Sequence, residues 1–178
     1  RRSIAAQNVG EAKVADAEAY YLFNNITLET DRGTTQIDHV LITPRGIFVV
    51  ETKDYSIWIY GSPDQRKWTQ VHFKKKTQFL NPLDQNAGHI KALKKLFNLP
   101  DNHFHNLIVF TGSAEFKTDL GPNVIQLSQL STCLTQPRPV IFDETKMTYI
   151  VGRIEMNRLP RSRETDEYHI NYVRSKLN

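Results

Sequence analysis

Two apolar runs joined by a tight turn constrain this chain more than any other feature. Residues 36–43 and 47–53 each read as a strand. Between them, Thr43-Pro44-Arg45-Gly46 reads as a turn, with proline where its fixed φ helps and glycine where a positive φ is expected. The second run is apolar through Val50 and then abruptly charged, Glu51-Thr52-Lys53. Side chains alternate along a strand, so Glu51 and Lys53 share one face, as do Gln36 and Asp38 on the preceding strand. A two-residue loop at Pro44-Arg45 places Asp38 opposite Glu51 and Gln36 opposite Lys53. A bulge at Gly46 would shift that pairing by one.

Directly opposed residues bring their Cβ atoms within about 5 Å. Two carboxylates that close repel unless a cation lies between them or one is protonated. Oxygen ligands without a His or Cys cluster favour Mg²⁺ or Mn²⁺ over Zn²⁺. A lysine beside such an ion can hold a water and offset charge building on a phosphate. Glu-X-Lys alone is common and reads equally as a solvated strand end. Asp38, set in an apolar strand across a tight turn from Glu51, carries the argument.

The remaining chain supplies the frame. Residues 3–23 are Ala-rich with Val14, Ala17 and Tyr21 on one face, and predict a helix. Residues 26–30 predict a strand and 31–33 a turn. Residues 57–61 predict a short strand. Asn81-Pro82 is a strong helix start, and that helix runs to about residue 97 on a stripe of Ala87, Ile90, Leu93 and Phe97. Residues 107–111 and 124–127 read as buried strands, and 128–134 as a short helix. Residues 143–157 and 164–177 read as closing helices. This order predicts an α/β fold in which a mixed sheet carries helices on both faces.

With 178 residues, the expectation is one domain, 1–178. At 39% hydrophobic and 24% charged residues, the composition excludes a disordered chain. The net charge of +4 permits a polyanionic partner without requiring one. Cys133 stands alone, so no internal disulfide forms, and a reducing, cytoplasmic setting is expected, with Cys133 a small core residue. No apolar run approaches the ~20 residues of a membrane span. The sequence opens Arg1-Arg2 without Met, which leaves an upstream anchor open.

At these residues the sequence resembles the NERD family, the nuclease-related domain within the PD-(D/E)XK nuclease superfamily. The likeness rests on Gly10-Glu11, on Gln36-Ile37-Asp38-His39-Val40, and on Gly46-Ile47-Phe48-Val49-Val50-Glu51-Thr52-Lys53. It continues through Trp68, Asn81-Pro82-Leu83-Asp84-Gln85-Asn86 and His89 to Val109-Phe110, covering about residues 8–112. Residues 113–178 are then expected to complete the sheet and add helices. The resemblance implies a restriction-endonuclease-like fold. It implies Asp38 and Glu51 as metal ligands, with the Thr52 backbone carbonyl beside them, and Lys53 as the catalytic lysine. Glu11 would complete the acidic site, and Gln85 would contact the site or the substrate backbone. Two departures stand out: Ile37 replaces the proline of the superfamily's name, and His89 takes the place of a helical tyrosine seen in some relatives. Gln85 and His89 still share a helix face.

Other residues carry two readings each. Glu11 also reads as a solvated helix residue, and Gln85 as part of a helix cap. His39 is expected on the face opposite Asp38, as a core or supporting group. Gln36, His89 and the run Lys74-Lys75-Lys76 are candidate substrate contacts, the lysines by releasing counterions from a nucleic-acid backbone; a solvated loop is the alternative. Arg158, Arg161 and Arg163 read more simply as stabilising a helix C-terminus. Trp58, Tyr60 and Trp68 can stack on bases or fill a core. The leading expectation is a Mg²⁺- or Mn²⁺-dependent nuclease acting on DNA in preference to RNA. The alternatives are a catalytically silent nucleic-acid-binding module of the same fold, and an interaction domain.

Overall fold

The computed structural model describes residues 20–31 and 33–160. The expected segment 3–19, with Glu11, and the closing helix 164–177 lie outside the described residues, as do Arg161 and Arg163.

The turn at Pro44-Arg45 forms as expected, and the sheet is organised around it. Strand β2 (Gly33–Thr43) and β3 (Gly46–Lys53) pair antiparallel from Thr43↔Gly46 to His39↔Val50. No bulge intervenes, so the register is the one the two-residue loop dictates. Gly46 adopts φ +128. The opposite edge of β2 pairs with β1 (Tyr21–Thr30). The expected helix therefore does not extend to residue 23: Tyr21, Leu22 and Phe23 pair with Ile42, Leu41 and Val40. Aromatic residues fit a pleated, half-buried surface, and tertiary pairing overrides a weak helical pattern.

Along its other edge β3 runs parallel to β7 (Phe104–Phe110), which in turn pairs parallel with β9 (Val124–Gln126). The result is a mixed five-stranded sheet, β1-β2-β3-β7-β9. The strand expected at 107–111 begins earlier, at Phe104, and ends at Phe110.

Helices cover both faces. On one face α1 (Pro82–Phe97) and α3 (Glu144–Asn157) bury Ile90, Leu93, Phe97, Met147, Ile150 and Ile154 against Ile37, Ile42, Ile47 and Val49. Burying each such side chain is worth roughly 1.5–3 kcal/mol. On the other face α2 (Leu130–Thr135) places Leu130 over Leu41, Phe48, Val50 and Val109, with Cys133 partly buried beside them.

The start of α1 is built as the sequence implies. Pro82 opens the helix, and the Asn81 Oδ1 accepts from the Leu83 N–H at 2.9 Å. The buried stripe, however, carries Asn86 where Ala87 was expected, and Ala87 is exposed. An amide is tolerated there because Asn86 Nδ2 donates to the Val49 carbonyl at 2.7 Å and to Asn106 Oδ1 at 2.8 Å.

Between β3 and α1 the chain builds three strands of a second sheet, completed by a short strand beyond β7; of these only the first is expected from the sequence. Strands β4 (Ile57–Tyr60), β5 (Lys67–His72), β6 (Lys75–Leu80) and β8 (Ala114–Phe116) are ordered β6-β5-β4-β8. Its inner face sets Ile59 and Trp68, both fully buried, against Ile108, Phe110 and Val124 of the main sheet.

Two consequences are measurable. A Cβ at Gly46 would lie 2.6 Å from His105 Nε2, on a backbone conformation that L side chains rarely adopt. Gly46→Ala should destabilise the fold by roughly 1–3 kcal/mol, read as a lower urea midpoint. Burial lowers the His105 pKa and the Arg138 guanidinium adds to the effect, against an opposing pull from the Arg45 carbonyl. The folded chain thus keeps this ring neutral where the unfolded chain protonates it, near 6.5. Its contribution to stability is fully present above that pH and is lost as pH falls below it. Urea unfolding followed from about pH 7.5 to 5.5 should show that decline, and His105→Gln should flatten it.

Candidate active site at the ends of the central strands

The functional side chains gather where β3 parts from β2. After His39↔Val50 the β2 ladder ends, while β3 stays paired with β7 as far as Lys53↔Phe110. Glu51 is thus the first residue beyond the antiparallel ladder, and Asp38 is its counterpart on β2.

The β1–β2 ladder also breaks at Asp38. Pairing skips the Asn25–Asp38 position, and Asn25 adopts φ +50. Phe23 with Val40 and Ile26 with Ile37 face the same core cluster on either side of that gap, although strict alternation would put them on opposite faces. The interruption, with the register unchanged on either side, releases Asp38 from regular pleating. Its Oδ2 accepts from the Thr52 N–H at 2.9 Å and from Thr52 Oγ1 at 2.7 Å. Asp38 is therefore fastened to the residue between Glu51 and Lys53.

Glu51 is only 4% exposed. Lys53 Nζ donates to its Oε1 at 2.6 Å and also to Gln85 Oε1 at 3.1 Å. The partner of Lys53 is thus Gln85 on α1, in place of Gln36, because β2 and β3 have separated before Gln36 is reached. His89, one turn after Gln85, places Nε2 3.4 Å from Glu51 Oε2, and its Nδ1 lies 2.7 Å from Thr35 Oγ1. Burial pushes the Glu51 pKa up, but His89 and Lys53 outweigh it and hold the carboxyl below its usual value. Glu51 is ionised at neutral pH despite its burial.

His39 is half-buried and shares a 2.7 Å hydrogen bond with Asn24. Burial lowers its pKa, and the negative charges of Asp38 and Glu51 partly offset this.

Asp38, Glu51, Lys53, Gln85 and His89 thus converge. Gln36 lies further along β2, opposite Thr27. Lys74 sits in the exposed β5–β6 turn and Lys75 and Lys76 at the start of β6, in the second sheet. Trp68 is core, whereas Trp58 and Tyr60 are exposed. Arg158 pairs with Glu155 at 2.7 Å, at the end of α3. Among the described residues no group of three His, Cys, Asp or Glu side chains has the arrangement of a metal site.

Three contributors were not legible beforehand. The Thr52 side chain was read only through its backbone carbonyl. Asn86 and Asn106 tie α1, and with it Gln85 and His89, to β3 two residues before Glu51. The available signal was the place of Asn86 in the motif Asn81–Asn86, beside Gln85; nothing local pointed to Asn106.

The nuclease-related domain family matches residues 4–111, three-fifths of the chain. The chain belongs to that family, whose span includes every residue of the cluster just described. An uncharacterised protein of Bacillus anthracis is 52% identical over 82 residues, 46% of this chain. That match covers 39% of the relative's length. No solved structure matches the chain, and no helix among the described residues is long and apolar enough to cross a membrane.

Thr52→Val removes one of the two donors to Asp38 while keeping the side-chain shape. It should cost roughly 1.5–3 kcal/mol in urea denaturation, and Thr52→Ser should recover most of that.

Proposed function

We propose that the chain is a metal-dependent nuclease that hydrolyses phosphodiester bonds, with DNA preferred to RNA. The observation that carries this reading is the Lys53 ammonium, held between Glu51 Oε1 and Gln85 Oε1 beside an Asp38 carboxylate fastened to Thr52. A buried, ionised acid paired with a lysine at a strand end, in a family of nuclease-related domains, is suited to phosphoryl chemistry.

The donor chemistry fits a hard divalent cation. Asp38 and Glu51 supply carboxylate oxygens, and Asp38 Oδ1 has no donor among the described residues. Mg²⁺ and Mn²⁺ accept one or two protein carboxylates and take their remaining ligands from water and phosphate. Asp38, Glu51 and the Thr52 carbonyl would hold the ion, with Glu11 contributing from the preceding segment. When bound, the ion polarises the phosphate and activates a water.

The chain's own groups do the rest. Lys53 presents positive charge where a phosphate approaching Glu51 accumulates negative charge. Gln85 fixes the direction of that ammonium. His89, oriented by Thr35, keeps Glu51 ionised. Gln36 and the lysines 74–76 would touch a nucleic-acid strand outside this cluster, whereas His89, buried and turned to Thr35 and Glu51, is a supporting group in place of the substrate contact expected of it.

A second reading, a module that grips nucleic acid without cutting, draws on the lack of a three-residue metal cluster among the described residues. Linear and plasmid DNA incubated with Mg²⁺ or Mn²⁺, with and without EDTA, separates the two. Cleavage should appear only with the ion, and Lys53→Ala should slow it by about 10²-fold or more. Equal cutting by wild type and Lys53→Ala would overturn the catalytic assignment. A mobility shift in Ca²⁺, with no cutting under any condition, would favour the second reading.

A further inference from the structure

We infer that the outer face of the second sheet is a platform for single-stranded nucleic acid, on which Trp58 and Tyr60 stack bases while Lys67 and Lys76 face phosphates. This goes beyond the proposed cleavage site and takes from that reading only the class of partner.

The register places these residues together. Trp58 pairs with Val71, and Val71 with Lys76; Tyr60 pairs with Thr69, and Thr69 with Gln78. Paired residues share a face, so Trp58, Tyr60, Thr69, Val71, Lys76 and Gln78 form one surface, joined by Lys67 two residues from Thr69. That surface faces away from the core. Trp58 is 42% and Tyr60 38% exposed, whereas Ile59 between them is fully buried. Lys117 joins from the neighbouring strand end, its Nζ lying 5.1 Å from the centre of the Trp58 ring.

Charge selects the partner. Lys67, Lys76 and Lys117 are exposed. The acid beside Trp58, Glu115, is already paired with Lys117 at 2.6 Å. The β5–β6 turn adds Lys74 and Lys75, with Phe73 82% exposed at its tip on a left-handed backbone of φ +53. Aromatic rings on a sheet flanked by lysines suit a polyanion whose bases offer free faces. A duplex keeps its bases stacked internally, so a single strand is the better match. Alternate residues of a strand are about 7 Å apart, so Trp58 and Tyr60 can engage separate bases.

The platform is also close to the cleavage site along the chain. Trp58 follows Lys53 by five residues, at most about 18 Å of extended backbone.

The test uses the full 178-residue chain in EDTA, so that binding is read without cutting. A fluorescent oligo(dT) of about a dozen nucleotides is titrated and followed by anisotropy, with oligo(rU) and a matched duplex as competitors. Single strands should compete better than duplex, and affinity should fall steeply with salt. Trp58→Ala and Tyr60→Ala should each weaken binding by about tenfold, while Trp58→Phe, which keeps a stacking ring, should retain most of it. Lys76→Glu should lower both affinity and its salt dependence. Trp58→Ala binding as tightly as wild type, equal losses in Trp58→Phe and Trp58→Ala, or preference for duplex would each overturn the platform. So would sedimentation showing a dimer that Trp58→Ala dissociates, since the face would then seat a second copy. None of these outcomes bears on whether Lys53→Ala abolishes cleavage, so the two assignments fail separately.

Discussion

Burying a carboxylate at the end of a central strand is costly unless opposing groups compensate for it. Glu51 stands in that position, and its surroundings read as the response. Lys53 supplies a full positive charge, His89 a ring nitrogen, and Gln85 turns Lys53 toward the acid. Two of these three groups come from α1. The helix must therefore dock in one register on β3, and the Asn86 amide, bonded to the Val49 carbonyl, sets that register. The hydrophobic contacts of Ile90, Leu93 and Phe97 hold the helix down without specifying its rotation to this degree.

The second acid is held differently. Asp38 lies at an interruption of the β1–β2 ladder and is fixed through the backbone and hydroxyl of Thr52. One acid is thus stabilised by charge and the other by neutral donors. Two acids with unlike environments give a site in which the roles of the carboxylates are already differentiated before any ligand arrives.

Much of this was visible in the residues. The Pro44-Arg45 loop fixed the β2–β3 register because a two-residue loop leaves little choice, and Asn81-Pro82 announced α1 because capping is a local event. The family likeness lay in short motifs along the first two-thirds of the chain, and the family match covers nearly the same span. What stayed hidden depended on distant partners. Residues 20–23 were read as helix because their pairing strand lies some twenty positions away. The β5–β6 hairpin was missed because Lys74-Lys75-Lys76 and the polar residues around it lack a two-residue hydrophobic period. The departure of β2 from β3, which turned Lys53 from Gln36 to Gln85, follows from β7 retaining β3, and no local pattern signals it.

The second sheet leaves the main one just after Lys53 and returns at Asn81. The return point is stitched in place: Asn81 Nδ2 donates to the carbonyls of Pro63 and Gln65, and its N–H to that of Arg66. The excursion thus ends where α1 must begin, and the residue that caps the helix also ties down the loop before it. In architectural terms, residues 57–80 are a buttress: β4 pairs with β8 from beyond β7, and Ile59 and Trp68 are buried against Ile108 and Phe110. Only its outward side chains, Trp58 and Tyr60 among them, can change chemistry without disturbing that packing.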